Sequence, residues 1–289
     1  NYLEELIGIM QQNSLHRNTI NWQNFKEDVF LAADGAETIV DTYPGVLKAL
    51  ELLGDNHSFL TTPIGYSLFS GTLSCDGVDY VEPDLPSTIG YVKVTGFMGP
   101  SSGDSAIEFV QSIQNQIRDN DNTNIVGWIV DLRNSGGGNM WPMLVGVGPV
   151  LGDGIAGYFN YPDDTFVSWG LQDGAAVIDG DSFLITEDSY QLFTPNPKVA
   201  LLIDAGVASS GEAITVSFLN RPNTRLFGTA TCGLSTSNES FALSDSATLF
   251  LTTAKMADRD QQVYGNEIQP DQFSSSQTII NDAIQWLEN

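Results

Sequence analysis

The stretch IVGWIVDLRNSGGG, residues 125–138, joins a strand pattern to a glycine-rich turn and decides the fold class. Its first part, 125–132, is almost continuously apolar, as in a parallel strand that is buried on both faces. Apolar residues at helical spacing lie on either side of it, at 101–119 and from about 139 to 150. This alternation of strand and helix predicts an α/β core with mainly parallel strands.

The same alternation continues through the chain after residue 88. Short apolar runs predict further strands, and amphipathic runs predict further helices. The strands are expected at 89–95, 199–204, 225–228, 241–243 and 248–253, and the helices at 209–219 and 279–287. Residues 153–196 are polar with scattered aromatics, which predicts a β-rich insertion, and the sequence leaves open whether this insertion is a lid.

The N-terminal part of the chain follows a different pattern. Residues 1–53 carry apolar residues at helical spacing in three stretches, with Pro44 before the third and Gly54 after it. Proline and glycine then recur through 58–88 between short β-prone pieces, as in a connector with a hairpin. We therefore predict a small helical cap at 1–62, a connector at 63–87 and the α/β core at 88–289.

The composition excludes several classes of protein. The chain has 289 residues with 36 Asp+Glu against 11 Lys+Arg, a formal net charge of −25. Such a charge repels phosphate backbones and anionic lipid surfaces, so we expect neither nucleic-acid nor peripheral membrane binding. No apolar run reaches the ~18 residues of a membrane-spanning helix. The 2 His and 2 Cys are far apart in sequence and do not form a zinc site, so no metal or cofactor is expected.

The cysteines and the first residue bear on the compartment. Cys75 and Cys232 are either two reduced, buried thiols or one long-range disulfide. The chain begins at Asn1, which fits either a removed targeting segment or a trimmed chain. Abundant Ser, Thr, Asn and Gln with few Lys favour an extracytoplasmic protein, periplasmic or secreted, with a lipid anchor as an option.

Three loops could carry chemistry, because ligands of open α/β sheets bind beyond the carboxyl ends of strands. They lie at 53–59, 131–138 and 204–212. The second has three consecutive glycines that lead into a helix, and its backbone N–H groups can converge on an oxyanion or a phosphate. The alternative is a tight turn without a ligand. This loop matches neither a P-loop nor a dinucleotide-binding fingerprint.

The other two loops contain serines and a histidine. The third loop places Ser209 and Ser210 at the start of a helix, where a serine is either a nucleophile or an N-cap. The G-x-S-x-G nucleophile motif is not satisfied there. The first loop holds His57, whose alternative role is that of a capping or surface residue. If the chain uses a Ser–His pair, His57 is a better base than His16, which lies in a polar stretch.

Six segments carry a resemblance to a known family. They are LGDNHSF (53–59), IGYVKVTGF (89–97), DLRNSGGG (131–138), LIDAGVASSGEAI (202–214), RLFGTATCGLS (225–235) and YGNEIQPD (264–271). In this order they resemble the motifs of the tail-specific, or C-terminal processing, serine proteases, a family that includes the tricorn protease core. The resemblance covers His57 to Asp271 and implies a core like that of the ClpP/crotonase superfamily.

The resemblance also implies catalytic roles. It aligns the nucleophile with Ser209, and it implies an oxyanion hole from the backbone N–H groups of Ser210 and Gly137. Many family members use a Ser–Lys dyad, with the lysine directly after the glycine of the fifth segment. Here that position is Leu234, which cannot accept a proton. The resemblance therefore points to the tricorn-like branch, which uses a serine, a histidine and a distant glutamate.

In that branch the base aligns with His57. Glu267 is the expected distant acid, and Asp260 and Asp55 are the alternatives. Asn56 stands where tricorn has a serine before its histidine, a replacement that bears on how the imidazole is held.

The function implied by the resemblance is a serine peptidase that acts on peptides or unfolded proteins. Most family members carry a PDZ domain before the first core strand, but the interval 64–88 is too short for one, so capture of substrate tails by a PDZ domain is not expected. Two alternatives stay open. One is a non-catalytic ligand- or peptide-binding protein on the same core, which Leu234 favours. The other is a Ser–Lys protease with Lys255 as a displaced base.

Overall fold

The computed structural model describes residues 2–71, 73–79, 81–185 and 189–289. In chain order the helices are α1 (Tyr2–Asn13), α2 (Trp22–Ala32), α3 (Tyr43–Leu53), α4 (Asp104–Asn120), α5 (Met140–Leu151), α6 (Ser210–Phe218) and α7 (Ile279–Glu288). The strands are β1 (Phe59–Thr61), β2 (Ser67–Phe69), β3 (Ile89–Lys93), β4 (Gly127–Asp131), β5 (Gly154–Asn160), β6 (Phe166–Gln172), β7 (Ala175–Ile178), β8 (Asp181–Ile185), β9 (Val199–Ile203), β10 (Thr224–Gly228), β11 (Thr236–Ala242), β12 (Thr248–Ala257) and β13 (Gln272–Phe273).

The chain divides into two compact units that do not follow chain order. The first consists of Asn1–Ser74, Asn160–Thr165 and Thr236–Lys255. The second consists of Cys75–Phe159, Phe166–Ser235 and Met256–Asn289. Strand pairing brings 236–255 to the N-terminal helices, which a reading along the chain does not show. The boundaries drawn at 62/63 and 87/88 stay predictions.

The first unit is built from helices on a small antiparallel sheet, and its three helices confirm the predicted helical N-terminal region. β1 pairs with β2 and with β12, and β11 also pairs with β12. Leu6 and Met10 of α1 are fully buried with Leu60 of β1 and Leu249 of β12 in one apolar core. α3 ends at Gly54, whose φ of 70° is a left-handed cap that glycine adopts without strain.

The second unit contains the parallel sheet that the sequence predicts. Its strand order is β13-β10-β9-β4-β3, and each neighbouring pair is parallel. Every residue of β4 and of β9 is buried, which confirms the interpretation of the two apolar runs as central strands. Ile279, Ala283 and Leu287 of α7 pack in one apolar cluster with residues of the sheet. α4 contacts β3 and α5, and α5 contacts α6.

The predicted β-rich insertion is also present in the second unit. β5 to β8 are neighbours in sequence order, and the β6–β7 and β7–β8 pairs are antiparallel. Residues 186–188 of the predicted insertion lie outside the described residues. Whether 153–196 acts as a lid stays a prediction.

Two local boundaries differ from the sequence pattern. α4 begins at Asp104, after the N-cap residue Gly103, and not at residue 101. β11 and β12 are longer than the apolar runs at 241–243 and 248–253 indicated. The residues added to β11 are polar and only Thr236 among them is buried, so antiparallel pairing with β12 keeps this stretch extended.

The two cysteines form a disulfide within the second unit. Cys75 and Cys232 are bonded, with their Cα atoms 5.2 Å apart and 157 positions apart in sequence. The bond joins the segment before β3 to the segment that follows β10.

None of the described helices combines the length and the apolar character that a bilayer crossing requires.

Candidate active site

Two of the predicted loops meet at the carboxyl ends of neighbouring strands. β4 and β9 are adjacent and parallel, so the loops that follow them leave the sheet at the same edge. The amide of Ala208 in the second loop donates to the carbonyl of Ser135 in the first, at 3.1 Å. A methyl group placed on Gly137 would lie 2.6 Å from Ala208 O and 2.9 Å from Ser209 Cβ. The approach is therefore so close that only glycine fits.

Ser209 occupies the start of α6 in a strained conformation. Its φ of 52° and ψ of −117° lie in a region that residues with a side chain rarely adopt. Such a conformation costs about 1–3 kcal/mol and is found at functional sites, including the sharp strand-to-helix turn that presents a nucleophilic serine. The sequence left open whether Ser209 is a nucleophile or an N-cap. In the structure Ser209 is the N-cap residue of α6 and forms a capping box with Glu212, and its strained position suits a nucleophile as well.

The glycine loop lies close to the start of α6. Gly137 has a φ of 98°, and a methyl group on it would lie 2.9 Å from Ser210 N. The hydroxyl of Ser210 donates to the carbonyl of Gly138 at 2.6 Å, which ties the helix start to the glycine loop. The positive end of the α6 dipole lies here as well. The structure thus brings Ser209, Ser210 and Gly137 together.

A buried carboxylate lies directly behind the serine. Glu212, in the first turn of α6, is fully buried. Its Oε2 atom accepts from the amides of Ser209 (3.0 Å) and Leu234 (2.7 Å). Its Oε1 atom accepts from Thr231 Oγ1 (2.6 Å) and from the amide of Gly233 (3.0 Å). Burial raises the pKa of Glu212 to about 7, although the four hydrogen bonds act in the opposite direction.

A second carboxylate, that of Asp204, is hydrogen-bonded to both loops. Asp204 directly follows β9 and accepts from the amides of Asn134 (2.8 Å) and Gly206 (3.0 Å). It also accepts from the amide of Val78 at 2.9 Å, in the segment next to Cys75. One side chain therefore fixes the glycine loop, the serine loop and the connector.

A buried ionic cluster shapes the start of the glycine loop. Asp131 is fully buried and forms a two-point ion pair with Arg133, through Nε at 2.9 Å and Nη2 at 2.7 Å. Tyr91 donates to the same carboxylate, and Lys93 contacts both it and the carbonyl of Arg133. Burial alone would raise the pKa of Asp131, but Arg133 and Lys93 together lower it below its ordinary value.

His57 lies in the first unit, in the loop between α3 and β1. Asp55 accepts from the amide of His57 at 2.9 Å, and Asn238 donates to the carbonyl of His57 at 2.9 Å. The imidazole Nδ1 atom lies 2.7 Å from the hydroxyl of Thr236 in β11. Burial lowers the pKa of His57 to about 4, and the nearby Asp55 carboxylate offsets only part of this effect. The imidazole is therefore neutral, as a general base must be.

The expected distant acid has a different environment. Glu267 is exposed, and its carboxylate accepts from Gln269 Nε2 at 3.5 Å. Asp260 is also exposed. The carboxylate of Asp55 caps the backbone of its own loop, where it also accepts from Ser58 Oγ at 2.7 Å. The identity of a third acid stays a prediction, whereas the observed partner at Nδ1 is the Thr236 hydroxyl.

Sequence reasoning missed three residues that contact the predicted loops. Thr236 was missed because it lies in a polar strand far from the histidine in sequence. Glu212 stands at the end of the third loop, and a glutamate three residues after a helix-start serine is a capping-box signal that could have identified it. Asp204 could have been found, because it directly follows a buried strand at the edge where ligands bind.

The described residues contain no group of three His, Cys, Asp or Glu side chains that could hold a metal ion. The second unit holds a strained serine at a helix start beside the glycine loop, and the first unit holds a neutral imidazole. A serine hydroxyl, an imidazole and backbone amides are the groups that acyl transfer through a tetrahedral intermediate uses.

Comparison with known proteins agrees with this chemistry. The model of peptidase family S41 matches residues 88–273. A nisin-resistance protein of Lactococcus lactis subsp. lactis is 28% identical over 293 residues, which span 100% of this chain and 86% of that protein.

Two solved structures share the fold. A lipoprotein from Streptococcus agalactiae superposes with a TM-score of 0.76 at 22% identity, over 99% of this chain and 95% of that one. The photosystem II D1 C-terminal processing protease superposes with a TM-score of 0.59 at 14% identity, over 95% of this chain and 92% of that one.

Proposed function

The chain belongs to peptidase family S41, and we propose that it is a serine-type peptidase in which Ser209 is the nucleophile and His57 the general base. The observation that carries this proposal is the strained Ser209 at the start of α6, in contact with Gly137. The missing lysine after Gly233 and the neutral imidazole of His57 support the choice of base.

The proposed reaction begins with proton transfer from the hydroxyl of Ser209. With Nδ1–H of His57 donating to Thr236, the Nε2 atom carries a lone pair and accepts the serine proton. Ser209 Oγ attacks the peptide carbonyl, and the amides of Gly137 and Ser210 stabilise the oxyanion, an effect worth about 3 kcal/mol per donor. The imidazolium then protonates the leaving amine, and water hydrolyses the acyl-enzyme by the reverse sequence.

The orientation of the imidazole has two proposed contributors. The Thr236 hydroxyl acts directly at Nδ1. Glu267 remains our proposed distant acid, with Asp260 and Asp55 as alternatives, and it would act on the charged imidazolium from farther away. Replacement of each of these three carboxylates by the matching amide identifies the one that lowers kcat.

The proposed substrates are peptides or unfolded proteins, and the proposed subtype is tail-specific. One relative is named for nisin resistance, so nisin is a candidate substrate to test beside an unfolded protein and a set of C-terminal peptides. We also propose an extracytoplasmic location. The Cys75–Cys232 disulfide supports it, since disulfides persist in oxidising compartments.

The alternative proposal is a non-catalytic ligand- or peptide-binding protein. Leu234 favours it, because an aliphatic side chain stands where many members of the family place their base. Labelling with a fluorophosphonate separates the two proposals. A covalent adduct on Ser209 supports the peptidase, and no adduct under any condition supports the binding protein.

The decisive experiment compares Ser209→Ala and His57→Ala with Ser210→Ala in peptide cleavage. Ser210 is the matched control, because its alanine variant keeps the backbone amide and loses only the hydroxyl bonded to Gly138. We expect both test variants to lose activity by about 1000-fold or more, with a much smaller loss in the control. Full activity in either test variant contradicts the assignment. The alternative of a Ser–Lys protease with Lys255 as the base is tested in parallel, since normal turnover of Lys255→Ala removes it.

A further inference from the structure

Glu212 joins the serine to a separate segment of the chain. We call residues Thr231–Leu234 the wall segment. The two oxygens of Glu212 each accept two hydrogen bonds, one set from Ser209 N and Leu234 N and the other from Thr231 Oγ1 and Gly233 N. Three of these four donors belong to the wall segment, and the fourth is the amide of the serine itself.

The arrangement requires a carboxylate rather than a neutral group. An ionised carboxylate only accepts hydrogen bonds, so it satisfies four donors at once. Protonation converts one oxygen into an O–H donor, which then faces donors already aimed at it. A glutamine in the same place would turn its NH₂ group toward one of the two pairs of donors, with which it cannot form the same hydrogen bonds.

We propose that Glu212 is a positioning residue for Ser209, which as a carboxylate holds the serine amide and the wall segment in one arrangement and releases that arrangement when it is protonated. The inference rests on the proposed role of Ser209 for its consequence in catalysis. Its structural part concerns only the hydrogen bonds of Glu212.

The surroundings of Glu212 favour protonation of its own carboxylate, rather than of a neighbouring group, as the event that releases the arrangement. Burial has the largest effect on its pKa, and its four hydrogen bonds come next. Glu267 also lies beside the wall segment: its Cγ would lie 3.2 Å from a methyl group on Gly233, and its side chain is exposed. Thr236 follows the wall segment in the chain and contacts His57. The pKa of His57 is about 4, so His57 titrates at a lower pH than Glu212 does.

The pH dependence distinguishes positioning from a merely structural role. Burial raises the pKa of Glu212 to about 7, so the folded chain binds this proton more tightly than the unfolded chain does. Its contribution to stability is therefore largest in acid and is lost as the pH rises through 7. A purely structural role predicts that reactivity at Ser209 does not change near pH 7 while the chain stays folded. Positioning predicts reactivity that falls as the pH drops below 7.

The experiment records the amide resonances of Ser209, Gly233 and Leu234 by NMR from pH 5 to 9, together with the rate of fluorophosphonate labelling. We expect the three amides to titrate with one midpoint near pH 7 and the labelling rate to follow the same midpoint. The Glu212→Gln variant should lose the shared titration and label about tenfold more slowly or worse at pH 8.

Two further variants keep the test sharp. Thr215→Val is the matched control, because Thr215 is buried on the same helix and its hydroxyl donates to the backbone carbonyl of Gly211. It should leave both titrations unchanged. Thr231→Val removes one of the four donors, so it should move the midpoint to higher pH without abolishing the titration. The Thr231→Val variant also tests the proposal if Glu212→Gln does not fold.

The outcomes separate this inference from the proposed function. Amides that do not titrate together, native labelling in Glu212→Gln, or a shifted midpoint in Thr215→Val would overturn the positioning role. If Ser209 never labels in the native chain, the peptidase proposal fails. The shared amide titration then still decides whether Glu212 holds the serine and the wall segment.

Discussion

The Nδ1 atom of His57 lies 2.7 Å from the hydroxyl oxygen of Thr236. The two residues are 179 positions apart in sequence, and the antiparallel pairing of β11 and β1 with β12 brings them together. A histidine that is to act as a base needs one ring nitrogen held so that the other keeps its lone pair. In this chain a threonine hydroxyl lies beside Nδ1, the ring nitrogen that contacts the acid in Ser-His-Asp triads.

The first prediction concerns this hydrogen bond. Thr236→Val keeps the shape of the side chain and removes the partner of Nδ1. We expect kcat/KM to fall about 10- to 100-fold, since a lost buried hydrogen bond costs about 1–3 kcal/mol. Steady-state cleavage kinetics check this. Thr253→Val is the control, because Thr253 donates to Glu239 instead, and equal losses in both variants would contradict a role at His57.

The second prediction concerns stability against pH. Burial lowers the pKa of His57 from 6.5 to about 4, so the unfolded chain binds the proton more readily than the folded chain between these values. The stability from a neutral His57 is present above pH 6.5 and is lost as the pH falls toward 4. We expect the native chain to lose up to about 3 kcal/mol more than His57→Gln over this range.

Denaturant unfolding of both chains at matched pH values measures this difference. The native chain and the variant share every other titrating group, so their difference isolates His57. Parallel curves for the two chains from pH 7 to 4 would show that the histidine is not buried as described. Thr215→Val, which removes no titrating group, should parallel the native chain.

The third prediction uses two neighbouring glycines of the loop. Gly137→Ala would place a methyl group 2.6 Å from Ala208 O at a φ of 98°, so the loop must move away from Ser209. We expect the labelling of Ser209 to slow by about 100-fold or more, as for the loss of one oxyanion donor. Gly136→Ala is the control, since a methyl group there meets nothing within 4 Å. Similar losses in both variants would argue against a specific role for Gly137.

The fourth prediction concerns the disulfide. The Cys75–Cys232 bond closes a loop with a sequence separation of 157, and it limits the freedom of the unfolded chain. We expect the Cys75→Ser, Cys232→Ser double variant to lose about 2–5 kcal/mol of unfolding free energy. Urea titrations with and without a dithiol reductant provide the measurement. The reductant should destabilise the native chain and leave the double variant unchanged, and equal stability of the two chains would contradict the prediction.

Several parts of the fold could be predicted because their signals are local. β4 and β9 are apolar runs bounded by polar loops, and burial on both faces requires little else. The triple glycine marks a close approach of backbones, which the contact of Gly137 with Ser209 shows. The ordered motifs indicated the family before any contact was known, and the match over residues 88–273 confirms it.

Other parts depend on partners distant in sequence. The sequence left open whether Cys75 and Cys232 pair, since composition carries no distance between thiols. It also left open the role of Ser209, because backbone strain at a helix start is imposed by the packing around it. β11 was underestimated since its residues are held by pairing with β12 rather than by burial.

By itself, the sequence determined the central strands, the glycine loop, the serine and the absence of a lysine after Gly233, since each depends on residue type and near neighbours. Only the tertiary structure decided what holds them. The hydroxyl at His57 Nδ1, the four donors on Glu212 and the disulfide all join residues that chain order separates. Hydrogen bonds and covalent links require specific distances, and those distances exist only once the strands have paired.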